Sequence, residues 1–292
     1  MTAFNFTAGD SSPCVILLDN GSRRAASTLN LRHLAASLSG ITKIPVNPVS
    51  LLHSDKVDPS EINGEPARTL EPFLINKLSK GISNFLVVPL FFGQTAAVYE
   101  YIPQRVDEIR KEYPQLNVCI ASCLVDLDTP SDHSMAEILA RLVRQKVKDE
   151  GLTKPGVILT DHGTPRISVN KVRNLTCLQL SEELAGEYGC VQPASMERRE
   201  GREYDFNEPL LEGILGTRGF ERDVVVALLF CSPGRHAGVG GDILTICEEA
   251  EQNNPGLRVF TTDLPSSDSA FLDILASRLS DALLASTTKD SR

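Results

Sequence analysis

Three side chains in the second half of this 292-residue chain have the chemistry to hold a divalent metal ion and move protons: His162, Glu197 and His236. Imidazole and carboxylate suit first-row divalent ions, and a set of three leaves coordination positions open, as reactive metal sites require. A neutral imidazole is both ligand and base near neutral pH, since its unperturbed pKa is about 6.5. Each residue also has a plain structural reading. His162 in DHGT can brace a tight turn, Glu197 heads the charge run ERRE of a solvated face, and His236 sits in the glycine-rich PGRHAGVGGD, a loop type that also cradles phosphate. The phosphate reading is the weaker one, because the spacing fits neither GxGxxG after a strand nor a Walker loop.

What joins the three is the arrangement of the elements that would carry them. Apolar runs of strand length alternate with stretches of helical period, the signature of βαβ units and a parallel sheet. Strands are expected at Cys14–Asp19, Pro45–Leu51, Phe85–Phe92 and Asn117–Cys123, with helices near 24–39, 70–80, 98–113 and 134–149. The alternation then repeats, with strands at Gly156–Asp161, Cys190–Met196, Val224–Cys231 and Leu257–Thr261 and helices near 168–187, 208–217, 239–252 and 268–286. Gly151 and Pro155 punctuate the charged stretch between the halves. The expectation is an α/β protein of two tandem domains, 1–150 and 151–292. Each has a parallel sheet of about four strands flanked by helices, and the two are related by an approximate internal two-fold.

The halves match in detail. VILLDNGSRR at 15–24 pairs with VILTDHGTPR at 157–166, VNPVSLLHSDK at 46–56 with VQPASMERREG at 191–201, and FFGQTAAV at 91–98 with SPGRHAGV at 232–239. LEPFL at 70–74 and NEPLL at 207–211 each place a proline in an expected first helical turn. In this pairing Asn20 stands opposite His162, Leu52 opposite Glu197 and Thr95 opposite His236. All three second-half residues lie just past the carboxyl ends of successive strands, where an open parallel sheet forms its ligand crevice, and neighbouring strands sit only ~4.8 Å apart. An amide, an alkyl group and a hydroxyl could not bind such an ion usefully, so the first half reads as a copy without the metal ligands.

Composition narrows the partners. With 29 Lys and Arg against 38 Asp and Glu the formal charge is −9, which argues against nucleic acid or an anionic membrane as a partner held by bulk electrostatics. The seven cysteines form no CxxC pair and most fall in apolar runs, as in a reduced compartment. The opening MTAFNFTAGDSS is not of signal-peptide type, and no apolar stretch reaches the ~20 residues of a membrane span. The expectation is a cytoplasmic protein, with a plastid stroma as the other compartment. His33, His53 and His133 have no metal-type partner at short spacing and read as surface or capping residues.

These motifs resemble the class II chelatases, and among them the sirohydrochlorin cobaltochelatases and ferrochelatases. Those proteins carry HGS at a strand end and a later apolar strand followed by a PGRHAGxGxDI-like loop. Here VILTDHGTPR corresponds to the first and VALLFCSPGRHAGVGGDI, 226–243, to the second. The resemblance implies that His162 and His236 are the catalytic pair, holding the metal and accepting pyrrole protons, with Glu197 as a third metal ligand. It implies insertion of Co2+, Fe2+ or Ni2+ into sirohydrochlorin or a related tetrapyrrole, in cobalamin or siroheme biosynthesis, with the metal as substrate and no prosthetic group. Arg166, Arg198, Arg199 and Arg235 are candidates, by proximity, to meet the substrate's carboxylates. A tandem repeat supplies both halves, so a monomer suffices. The sequence departs from many two-domain members, whose first half carries the histidines. A carrier that binds tetrapyrrole or metal through the same histidines without turnover is the alternative.

Overall fold

The expected alternation is realised in a computed structural model that describes residues 12–238 and 240–287; most of the opening MTAFNFTAGDSS lies outside them. In chain order the first half forms β1 (Cys14–Asp19), α1 (Ala25–Thr42), β2 (Val46–Ser50), α2 (Leu70–Leu78), β3 (Asn84–Pro89), α3 (Ile102–Arg110), β4 (Asn117–Ile120) and α4 (Ser134–Asp149). The second forms β5 (Gly156–Asp161), α5 (Ile167–Glu183), β6 (Val191–Ser195), α6 (Leu211–Ile214), β7 (Asp223–Leu228), α7 (Asp242–Asn253), β8 (Arg258–Thr261) and α8 (Ala270–Thr287).

Each half builds a four-stranded, wholly parallel sheet, ordered β2-β1-β3-β4 and β6-β5-β7-β8. The strand order reverses direction at β1 in one sheet and at β5 in the other, which puts the crevice beside the β1/β3 and β5/β7 carboxyl ends. Both faces of a parallel sheet must be covered, so its strands are apolar throughout rather than alternating. In the first sheet Ile16, Leu18, Phe85 and Val87 pack under α2 and α3. Their neighbours Val15, Leu17, Leu86 and Val88 point the other way and are equally buried. In the second, Ile158, Val224, Val226 and Leu228 pack against α6 and α7.

The chain divides into two compact units, one running to Leu124 and resuming at Leu272, the other Val125–Phe271. The seam of the repeat near Glu150–Pro155 is therefore not the seam of the units. Helix α4 belongs to the second unit, where its buried face (Met135, Ile138, Leu139, Val143) lies against α5 and β7. Helix α8 belongs to the first, where Arg278 donates from Nε and Nη2 to the carbonyls of Cys123 and Leu124 at 3.0 Å each. Each unit thus takes in the helix that follows the other half's fourth strand.

Two local expectations are corrected. The helix expected near 208–217 is the single turn α6, with Pro209 outside it after a cis peptide bond, and Gly216 in the left-handed region at φ +83° follows its end. Helix α3 is entered through a π-helical turn at Ala97–Tyr101.

Candidate metal centre

The repeat pairs the same backbone geometry in both units. Glu197 N donates to His162 O at 3.2 Å, and Leu52 N donates to Asn20 O at the same distance. Gly163 (φ +92°) and Gly21 (φ +83°) follow. A Cβ at Gly163 would stand 1.9 Å from Glu197 O, and one at Gly21 would stand 1.7 Å from Leu52 O. Only glycine lets the β5 end cross so closely over the chain leaving β6. That crossing brings His162 to Glu197, whose Oε1 lies 3.4 Å from His162 Nε2. His162 Nδ1 is 3.1 Å from Gly163 O. An N–H there donates to the carbonyl and leaves Nε2 as the lone-pair nitrogen. The turn-bracing reading of His162 uses Nδ1 and the ligand reading would use Nε2, so the two do not compete for one ring atom.

His236 is set by the loop between β7 and α7. Asp242 N donates to Arg235 O and Ile243 N to His236 O, both at 3.2 Å. These first N–H groups of α7 are turned onto their own loop, which leaves the phosphate-cradle reading without its donors. His236 Nδ1 lies 2.7 Å from Asp242 Oδ2, a carboxylate–imidazole pair that fixes the tautomer and presents Nε2. Asp242 was not singled out in the sequence, although the GGDI ending of its motif carried it.

The two rings meet edge to face with centroids 4.5 Å apart. His162, Glu197 and His236 are thereby one contiguous group, with side chains 44%, 62% and 30% exposed. Among the described residues, no three His, Cys, Asp or Glu side chains are already arranged around a common metal position. The arginines separate by role. Arg198 is consumed locally, with Nε 2.6 Å from Glu208 Oε1 and Nη2 3.4 Å from Asp205 Oδ1. Arg199 lies over the Tyr204 ring at 6.0 Å, Arg235 is 75% exposed and 3.6 Å from Asp242, and Arg166 precedes α5 with its N–H on Thr164 Oγ1. His133 pairs with Glu183 at 3.1 Å, His33 is exposed on α1 and His53 stands at a turn, all outside the group.

Behind His162 lies a buried polar chain that the sequence did not announce. Arg173, 2% exposed on α5, donates from Nη1 to Ser195 Oγ at 2.6 Å and to Asn207 O at 2.7 Å. Ser195 Oγ donates to Asp161 Oδ1 at 2.6 Å, and Gly163 N donates to the same oxygen at 3.2 Å. Burial raises the Asp161 carboxyl, and Ser195, Arg173 and Gly163 N pull it back. In the first unit Asp19 and Ser50 keep their places, but Leu31 stands where Arg173 would. There burial pushes Asp19 up to about 6 against its hydrogen bonds from Ser50 and Gly21, with no arginine among the groups lowering it.

Compared with solved structures, the chain matches SirB from Bacillus subtilis with Fe3+ at TM-score 0.65 and 16% identity, covering 96% of this chain and 98% of that one. It matches a cobalt complex of the sirohydrochlorin chelatase SirB from Bacillus subtilis subspecies spizizenii at TM-score 0.64 and 15% identity, covering 97% and 98%. A CbiX structure, described as the terminal enzyme for biosynthesis of siroheme in denitrifying bacteria, matches at TM-score 0.55 and 12% identity over 93% and 99%. No curated protein sequence matches. At these identities, all below 25%, the chain shares with those proteins its fold, with two four-stranded parallel sheets flanked by helices. The CbiX family model matches residues 14–146, the half that lacks the histidine pair.

Proposed function

We propose that this protein inserts a divalent metal ion, Co2+ or Fe2+, into sirohydrochlorin or a closely related tetrapyrrole, at a site confined to the second half of the chain. The observation that carries this reading is the 3.4 Å separation of His162 Nε2 and Glu197 Oε1 beside the ring of His236. Two ligands held at about 2.0–2.1 Å in tetrahedral geometry stand about 3.3–3.4 Å apart, so this pair is spaced as two corners of a metal site. His236, tethered through Nδ1 to Asp242, supplies a third ligand by a side-chain rotation, which its partly exposed position allows.

Insertion replaces two pyrrole N–H protons with one dication, so two protons must leave as the metal enters. The imidazole nitrogens accept them once the metal has moved from the histidines to the ring. The Glu197 carboxylate offsets part of the dication's charge during capture and releases it more readily than a closed site would. In this reading Arg166, Arg199 and Arg235 meet substrate carboxylates, whereas Arg198 is paired with Glu208 and Asp205 of its own loop. The SirB structures described with Fe3+ and with cobalt support the choice of metals.

The test is turnover by the purified protein with sirohydrochlorin and Co2+, Fe2+ or Ni2+, followed by the tetrapyrrole's absorbance. Catalytic insertion of at least one metal over many equivalents is expected. Stoichiometric binding without turnover would replace the enzyme reading with that of a carrier.

A further inference from the structure

We infer that Arg173 is a positioning residue for the metal pair, acting through Ser195 and Asp161 on the strand end that presents His162. This rests on the proposed role of His162 as a ligand. An arginine 2% exposed is costly to bury and is kept only where its charge and its donors are used. Here Nη1 spans from Ser195 Oγ (2.6 Å) to Asn207 O (2.7 Å) and Nη2 reaches Phe206 O at 3.4 Å. Ser195 carries the contact on to Asp161, and Asp161 receives the N–H of Gly163. Asn207 closes the other side, donating to Thr164 O at 2.9 Å and receiving Thr164 N at 3.0 Å. His162 is thus held by hydrogen bonds on the residue before it and on the two after it.

The first unit supplies the comparison. It builds the same strand end, the same left-handed glycine and the same serine–aspartate pair with Leu31 in place of the arginine. Leu31 lines, with Thr28, Arg32, Ser50 and Pro66 among others, an open cleft of about 290 Å³. Arg32, one residue further along α1, takes over the loop carbonyls of Ile62 and Glu65, at 2.6 and 2.7 Å. The loop clamp therefore survives in both units, while the link to serine and aspartate is present only in the unit that has the histidines. The fold does not need that link, and the histidine side has it.

The experiment titrates Co2+ alone into the full chain and reads affinity and the cobalt ligand-field spectrum, with thermal unfolding as the check on folding. Arg173→Leu, the side chain the first unit tolerates, should weaken Co2+ about 10- to 100-fold, as losses of outer-shell partners do, and shift the spectrum toward that of His162→Ala. Ser195→Ala should do the same with Arg173 still present, and Arg173→Lys should recover part of the loss. Arg258→Ala, which breaks an exposed pair with Asp223, should leave both readouts unchanged. Folded Arg173→Leu and Ser195→Ala proteins that bind Co2+ as the wild type does would overturn the inference. So would failure of both to fold, which would make the residue structural. If His162→Ala itself keeps wild-type affinity and spectrum, the metal-site reading falls, and this inference with it.

Discussion

His162 and His236 were legible as chemistry because a histidine at a strand end stands out against the asparagine and threonine at the matching places. Asp242, Ser195 and Arg173 were not legible, because a carboxylate at a helix start, a serine in a strand and an arginine on a helix are each unremarkable until the fold brings them together. The consequences differ by residue. Glu197→Gln keeps the shape and removes the charge, so it should raise the metal concentration needed for half-maximal insertion while leaving the melting temperature near that of the wild type, as steady-state kinetics and calorimetry would show. Asp19 makes a different prediction, on stability. Its folded carboxyl is pushed up to about 6 from 3.8, so the folded chain binds the proton more tightly than the unfolded one. The stability this group contributes is present below pH 3.8 and is lost as pH rises through 6. That amounts to about 3 kcal/mol at 1.36 kcal/mol per pKa unit. Asp19→Asn should therefore be more stable than wild type at pH 7.5, by up to that amount, with the advantage gone at pH 4. Urea melts that run parallel at both pH values would contradict this account of the buried carboxyl.

Among the elements, strands were the easiest to read. Parallel strands covered on both faces leave uninterrupted apolar runs, and β1 and β5 fall at the expected bounds. Helix α6 was harder, because the apolar period near 208–217 extends past a proline and two glycines that allow only one turn. The tight glycine crossings were visible as DNG and DHG, but their purpose needed coordinates. Each removes the Cβ that would strike the chain leaving the next strand. Gly163→Ala should cost about 1–3 kcal/mol from backbone strain alone, and it should abolish Co2+ binding because Glu197 is pushed from His162. Gly21→Ala should lower the melting temperature to a similar degree and leave Co2+ binding intact. Equal loss of binding in the two variants would show that the crossing in the first unit also serves the metal.

At the scale of the molecule, the repeat was plain in the sequence and the compact units were not, since no local signal says that a helix will cover the other half's sheet. This has a direct test in dissection. Residues 125–271 contain the whole second unit with α4, and should fold with a cooperative thermal transition. Residues 151–292, the second repeat as the sequence divides it, lack α4 and carry α8 without its carbonyl partners. They should be less stable or fail to fold by circular dichroism. The central claim is the asymmetry of the halves: one crevice has two imidazoles, a carboxylate and an arginine behind them, and the other keeps the backbone and the serine–aspartate pair without them. Steady-state insertion by wild type, His162→Ala, His236→Ala, Asn20→Ala and Thr95→Ala tests it most directly. The account predicts a loss of about 10²-fold or more for each histidine variant, the scale of a lost acid–base group, with most activity kept by the asparagine and threonine variants. Losses at Asn20 or Thr95 as deep as those at the histidines would contradict it.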